Sequence, residues 1–352
     1  MYYNTIGLMS GTSLDGVDIV HVSFKREKQW SFEIINGNTF KYSTKWEDQL
    51  KTAHILQSEK LLIKHNEYGS YLGQLINRFI KENKIDKNSI HFISSHGHTI
   101  FHQPKNQFTF QLGSGATIAA KTGIKTISDF RSLDLAFGGQ GAPLVPIGDH
   151  LLFNEFDLCL NIGGIANISF MDNKERIAGD LNFANMTSNK LCNTINLKYD
   201  HNGDLAKKGN LNLELLKSLK KLSYFNKGFP KSLALEDFEK WYYPIIENSS
   251  IKIEDKLHTT GFHLCETIAS IIKTKNHRLL ITGGGAFNKF WMQLLKDHHK
   301  LNLTKPKDNI INFKEAIIFA FLGVLNQSDQ NNTLSSVTGA IKNLKTGVIH
   351  IP

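Results

Sequence analysis

Thr5-Ile6-Gly7-Leu8-Met9, Ser10-Gly11-Thr12-Ser13-Leu14-Asp15-Gly16 and Val17-Asp18-Ile19-Val20-His21-Val22-Ser23-Phe24 follow one another near the start of the chain. The first run is short and apolar, the second bears glycines, and the third alternates with period two from Val20 onward. That pattern predicts two strands joined by a glycine turn. A related unit recurs roughly 150 residues later, where Leu158–Ile162 and Ala166–Phe170 flank Gly163-Gly164. Two copies of one hairpin point to a duplicated fold with a cleft between its halves.

Working outward, residues 44–83, 210–247 and 256–275 have helical spacing of apolar side chains, and Gly113–Thr122 is helix-like. Further strands are expected at Ile90–Ser94, Lys125–Ser128 and Leu279–Thr282, the last running into Gly283-Gly284-Gly285. A glycine-rich loop, Phe137–Pro146, precedes a helix near 147–155, and Lys314–Leu325 reads as a strongly apolar helix. Strands and helices are mixed throughout, so the fold class is α/β.

The 352 residues suggest about two domains. Ordinary hydrophobic and charged content, 41% and 21%, excludes wholesale disorder and fibrous repeats. No apolar run approaches a bilayer span, and the start of the chain lacks a signal-peptide layout. Cys159, Cys192 and Cys265 are odd in number and far apart, which argues against a disulfide scaffold or zinc ribbon and for a cytoplasmic setting. The net charge of +9 is spread over scattered lysines rather than arginine-rich runs, so nucleic acid is not an expected partner, nor is a membrane.

Gly11 and Gly16 have the spacing of a Walker A loop, but Val17-Asp18 stands where Lys and Ser/Thr belong, and a strand follows instead of a helix. The chain is therefore not a P-loop protein. What remains is a tight turn whose amides can bind phosphate, with Asp15 and Asp18 placed to hold Mg²⁺ through oxygen or water contacts. Glycines at Gly163-Gly164, Gly283–Gly285 and Gly138-Gly139-Gln140-Gly141 add places where a ligand can approach backbone closely. Together they describe a nucleotide held between two lobes.

The segment Ile6–Asp18 resembles the opening signature of the anhydro-N-acetylmuramic acid kinase family. Ser95-His96-Gly97-His98-Thr99, Asp129-Phe130-Arg131, Gly138–Pro146, Leu160–Asn167, Gly283–Asn288, Glu315-Ala316 and Val337–Ala340 continue the resemblance in the family's order. It implies two ribonuclease-H-like lobes of the actin-like ATPase and sugar kinase superfamily, with ATP–Mg²⁺ in the interlobe cleft, and a homodimer. The expected lobes are 1–128, completed by 335–352, and 129–334.

The resemblance implies an ATP-dependent reaction in which the sugar's O6 is phosphorylated while water opens the 1,6-anhydro bridge, a step of cell-wall recycling. The family's base is an aspartate in Asp-Thr-Gly-Pro-Gly-Asn. Here the block reads Asp180-Leu181-Asn182-Phe183-Ala184-Asn185, keeping only its ends, so Asp180 is the expected base. ATP is expected on Gly11, Thr12, Ser13, Leu14, Asp15, Gly16, Val17, Asp18, Gly163, Gly164, Gly283, Gly284 and Gly285, and the sugar on His96, Asp129, Arg131, Asn185 and Glu315. Arg131 suits a lactyl carboxylate, which a guanidinium grips bidentately.

The alternatives are a sibling kinase with another substrate and a nucleotide sensor that has lost catalysis through the altered block. His96, His98 and His102 raise a metallohydrolase as a further alternative, with His96 and His98 on one strand face. His98 stands where the family has glutamine.

Overall fold

The structure, a computed structural model, describes residues 1–11, 14–272 and 277–352. Thr12 and Ser13, expected at the nucleotide, and the end of the helix expected at 256–275 lie outside them. The chain divides into two compact units, Met1–Leu152 with Phe313–Pro352, and Phe153–Asn312.

The strands, in chain order, are β1 (Tyr2–Ser10), β2 (Val17–Arg26), β3 (Trp30–Phe40), β4 (Phe92–Gln103), β5 (Phe108–Leu112) and β6 (Thr126–Ser128), then β7 (Leu158–Ile162), β8 (Ile165–Asp172), β9 (Glu175–Phe183), β10 (Leu279–Thr282), β11 (Leu303–Thr304) and β12 (Val348–His350). In the first unit, β1 pairs antiparallel with β2 and parallel with β4; β3 continues the meander, and β6 lies parallel to β4. In the second, β7 pairs antiparallel with β8 and parallel with β10, while β9 and β11 take the outer positions. The orders β3-β2-β1-β4-β6 and β9-β8-β7-β10-β11 are therefore the same order with the same strand senses. The duplication anticipated from one hairpin extends to a whole five-strand sheet. β5 and β12 are additions to the first copy.

The hydrophobic pattern explains the layers of the first unit. Along the helix Ser58–Glu82 the buried residues Tyr68, Leu72, Leu75, Ile76 and Phe79 recur at helical spacing. They pack with Ile6, Leu8, Val17 and Ile19 of the sheet. The helix Asp308–Gln327 is apolar all round between Ala316 and Leu325, as a helix enclosed on every side should be. It comes so close to β1 that a Cβ on Gly7 would lie 2.2 Å from the carbonyl oxygen of Ala316 and 2.8 Å from the Cβ of Ala320. Gly7→Ala is expected to destabilise the protein by about 1–3 kcal/mol. Urea denaturation measures this, and an unchanged midpoint would mean the helix does not rest on β1.

The compact units divide the chain at other points than 128/129 and 334/335. Asp129–Leu152 and the stretch from Phe313 both pack within the first unit, because helix Val145–Leu152 lies on the 313–327 segment. A Cβ on Gly148 would meet Ile318 at 2.5 Å, and Lys314 Nζ pairs with Asp149 Oδ1 at 2.8 Å, both side chains buried. Two strands that the sequence left unassigned, β3 and β9, complete the meanders. The expected helix at 210–247 is broken into shorter pieces, including Leu213–Lys220 and Tyr243–Glu247. Among the described residues, no helix is long and apolar enough to cross a membrane. All three cysteines are buried.

Candidate active site

In the first unit the glycine turn joins β1 to β2. Leu14 N–H donates to the Gly11 carbonyl at 3.3 Å, and Leu14 has φ +59°. Gly16 is required by space as well as conformation, since a Cβ there would lie 2.6 Å from the Phe40 carbonyl oxygen. Val17 sends its side chain into the core, so only its main chain is available to a ligand. Asp18, half-buried on β2, accepts from Thr39 Oγ1 at 2.6 Å. Burial raises its pKa to about 6 against that hydrogen bond, and the negative charges of Asp15 and Glu315 push the same way.

β4 carries a bulge where it passes β1, at Gly97 with φ +73°. The bulge breaks the alternation that would set His96 and His98 on one face, and the two rings find different partners. His98 Nδ1 lies 2.8 Å from Ser10 Oγ. His96 Nδ1 meets the Gly97 carbonyl at 2.9 Å, and its Nε2 accepts from Arg131 Nε and an Arg131 Nη at 3.1 and 2.9 Å. Because guanidinium nitrogens only donate, the Nε2 of His96 is an acceptor and its proton sits on Nδ1. Burial first, then the Arg131 charge, holds His96 neutral. His102 Nδ1 pairs instead with Thr109 Oγ1. Among the described residues no group of three His, Cys, Asp or Glu side chains is placed to hold a metal ion.

The other Nη of Arg131 donates to the Gly141 carbonyl at 2.6 Å. Burial lowers the Arg131 pKa to about 10, opposed by Glu315 and Asp134. Glu315 itself stays solvent-accessible although atoms surround it on most sides; that crowding raises its pKa against the pull of Arg131 and Lys314. Asp134, which sequence reasoning missed, organises the Gly138–Gly141 loop. Its fully buried carboxylate accepts from Gly141 N–H and Thr338 Oγ1, both at 2.8 Å.

Asp129 sits directly after β6 with φ +57°, a conformation disfavoured for a side-chain-bearing residue and often found at functional sites. Its Oδ1 accepts from Ser132 N–H at 3.1 Å. It opens onto a cavity of about 260 Å³, which His65, His96, Gln111, Ser128 and His350 also line. His350 Nε2 and Ser128 Oγ are 3.0 Å apart, and burial keeps His65 and His350 below the ordinary histidine pKa. His65 and His350 come from a helix and from the last strand, and no local motif marks either.

In the second unit the glycine sites converge. The carbonyls of Gly163 and Gly164 accept from Asn185, Ala184 and Met186 N–H, so the turn clasps the start of helix Asn185–Asn193. Asn185 Nδ2 donates to the Ile162 carbonyl at 3.3 Å. A Cβ on Gly283 (φ +82°) would lie 2.7 Å from Asn161 Oδ1 and from the Ile162 carbonyl, and one on Gly285 2.2 Å from Ile162.

Asp180 lies inside β9, at the bulge where Asn167 pairs with Asp180 and Ala166 with Asn182. Its Oδ2 accepts from Leu233 N–H at 2.9 Å, its amide donates to the Lys231 carbonyl, and its carbonyl accepts from Tyr224 OH at 2.8 Å. Burial raises its carboxyl pKa to about 6. The altered block turns inward: Leu181, Asn182, Phe183 and Ala184 are all buried. Asn182 bonds Thr267 Oγ1, and Phe183 packs edge-on or tilted against the rings of Phe238, Trp241 and Tyr242. Asp180 and Asn185, the retained ends, are the members left partly exposed.

Two units repeating one five-strand order, each with a glycine turn between its first two strands, define the ribonuclease-H-like architecture of the actin-like ATPases and sugar kinases. The model of the anhydro-N-acetylmuramic acid kinase family matches residues 2–352, and the chain belongs to that family. Relatives named anhydro-N-acetylmuramic acid kinase include one from Haemophilus influenzae, 34% identical, the match covering 99% of this chain and 97% of that one. Another, from Nitrosomonas europaea, is 33% identical, with 99% of each chain covered. Among solved structures, component A of (R)-2-hydroxyglutaryl-CoA dehydratase from Acidaminococcus fermentans is similar at a TM-score of 0.47 and 11% identity, over 90% of this chain and 96% of that one.

Proposed function

We propose that the protein is an ATP-dependent kinase that converts 1,6-anhydro-N-acetylmuramic acid and water to N-acetylmuramic acid 6-phosphate, in the cytoplasm, in the recycling of cell wall. The observation that carries this reading is the family match along essentially the whole chain. From the first unit, the Gly11–Asp18 turn holds phosphate through backbone amides. From the second, Gly163, Gly164 and Gly283–Gly285 let the nucleotide approach the main chain.

Asp15 and Asp18 fit a magnesium ion. Asp15 and Glu315 already push the Asp18 pKa upward, a local excess of negative charge that a cation relieves. With few protein ligands, phosphate and water oxygens would complete the shell, as magnesium prefers. When bound, the ion neutralises phosphate charge.

Asp180 takes the proton of the attacking water. A carboxylate with a pKa near 6 is a stronger base than an exposed aspartate and is still ionised at neutral pH. Asp129 and Asn185 hydrogen-bond the sugar, and Glu315 orients it. Two Arg131 N–H groups, one on each terminal nitrogen, remain after the bonds to His96 and Gly141. They are donors suited to the lactyl carboxylate, and the bonds to His96 and Gly141 fix the plane of the guanidinium that carries them.

The test is purified protein with ATP–Mg²⁺ and anhydro-N-acetylmuramic acid, following ADP and the phosphosugar. Coupled release of both is expected. ATP binding without turnover would make the protein a sensor, and turnover with other sugars alone a sibling kinase. Light scattering checks the homodimer that the family resemblance implies.

A further inference from the structure

Ser10 is the last residue of β1 and stands immediately before Gly11, so whatever fixes its side chain also fixes one foot of the glycine turn. Its hydroxyl lies in a buried ring of three. Tyr68 OH donates to Ser10 Oγ at 3.0 Å, Tyr42 OH is 2.6 Å from Tyr68 OH, and Ser10 Oγ is 2.6 Å from Tyr42 OH. His98 Nδ1 reaches the same Ser10 oxygen at 2.8 Å.

Each hydroxyl has one proton, so the directions can be counted round the ring. Tyr68 uses its proton on Ser10, which leaves Tyr42 to donate to Tyr68 and Ser10 to donate to Tyr42. No hydroxyl proton is left for the contact between Ser10 and His98. That proton must come from His98 Nδ1, and the Ser10 oxygen is then saturated, donating once and accepting twice. All four side chains are buried, where an unmet polar group is costly. Burial also keeps His98 neutral, its pKa pushed down to about 4.

We propose that His98, as the Nδ1–H tautomer, is a positioning residue for the nucleotide turn: it completes the hydroxyl ring that locks Ser10, without itself touching ATP. The proposal rests on the reading of Gly11–Asp18 as the phosphate-holding turn. It also accounts for a position that no part of the proposed reaction uses.

The experiment takes the full-length protein. ¹⁵N–¹H long-range correlation of its histidine rings is expected to show His98 protonated at Nδ1; an Nε2–H signature overturns the proposal. His98→Leu removes the donor and is expected to raise KM for ATP about tenfold, the effect of one buried hydrogen bond, with KM for the sugar little changed. His98→Asn, whose amide nitrogen stands near the place of Nδ1, is expected to restore most of the affinity. Tyr42→Phe breaks the ring without touching β4 and serves if His98→Leu does not fold. Parental KM for ATP in the folded variants, or an equal rise in both KM values, overturns the proposal. Asp18→Asn separates this from the underlying reading: parental ATP affinity there would remove the turn as the nucleotide site, and the proposal with it. Loss there alone, with His98→Leu and Tyr42→Phe unaffected, overturns only the role given to His98.

Discussion

Asp180→Asn is expected to lower kcat by about 10²–10⁴-fold, the contribution of a positioned general base, with little change in the affinity for ATP. The substitution is nearly isosteric, and its amide oxygen can still accept from Leu233 N–H, the bond that fixes the carboxylate against the 223–234 segment. A loss of rate therefore reports chemistry and not a disturbed fold. The pH dependence gives a second reading. Burial holds the carboxyl at about 6, and the base acts only when deprotonated. The parental rate should rise as pH increases through about 6 and level off above it, and the Asn variant should lack that acidic limb. Near-parental turnover in Asp180→Asn would show that another group activates the water.

Asp149→Ala is the largest expected stability effect. Asp149 and Lys314 form an ion pair at 2.8 Å with side chains 4% and 5% exposed. Removing the carboxylate takes from a buried ammonium the partner 2.8 Å away, which costs about 3–5 kcal/mol. Chemical denaturation measures it. Replacing both partners, as in Asp149→Leu with Lys314→Met, should recover most of the loss, because a well-packed apolar pair needs no compensation. A single variant as stable as the parent would mean the pair contributes nothing. Lys314 is also the neighbour of Glu315 in sequence, so the pair anchors the turn of helix from which that carboxylate projects.

How much of this was legible beforehand depends on whether a signal was local. The hairpin at Thr5–Phe24 was, since its glycines and alternation lie in one continuous stretch, and so was the triple glycine after β10. β3 was not: its alternation is interrupted by Asn36-Gly37-Asn38, where Gly37 makes room for Phe313. β9 was hidden for a similar reason. Gly179 and Asp180 are poor strand formers, and they are tolerated because the 229–231 segment packs directly on Gly179.

The candidate site divides in the same way. Asp129, Arg131 and Asp180 stood in recognisable blocks, whereas Asp134, His65 and His350 gained meaning only from partners far away in the chain. The altered block at 181–184 looked like damage to a turn. In three dimensions it is core packing beside a retained aspartate, a distinction that only burial could draw.

The first unit is assembled from both ends of the chain, with residues 153–312 between them. A ribosome makes such a protein in an order that matters. The second unit is continuous and has all its strands once residue 312 has emerged, so it can fold during synthesis, as domains generally do. The first unit must wait, with its sheet short of an edge strand and uncovered by the 313–327 segment, until the residues after 312 have been made. β12, at Val348–His350, is the last of the sheet's described strands to be made, and it brings His350 to the cavity beside Asp129. A chain lacking residues 348–350 would have neither that strand nor that cavity wall, so the pocket beside Asp129 is closed by a segment more than 200 residues away from it in sequence.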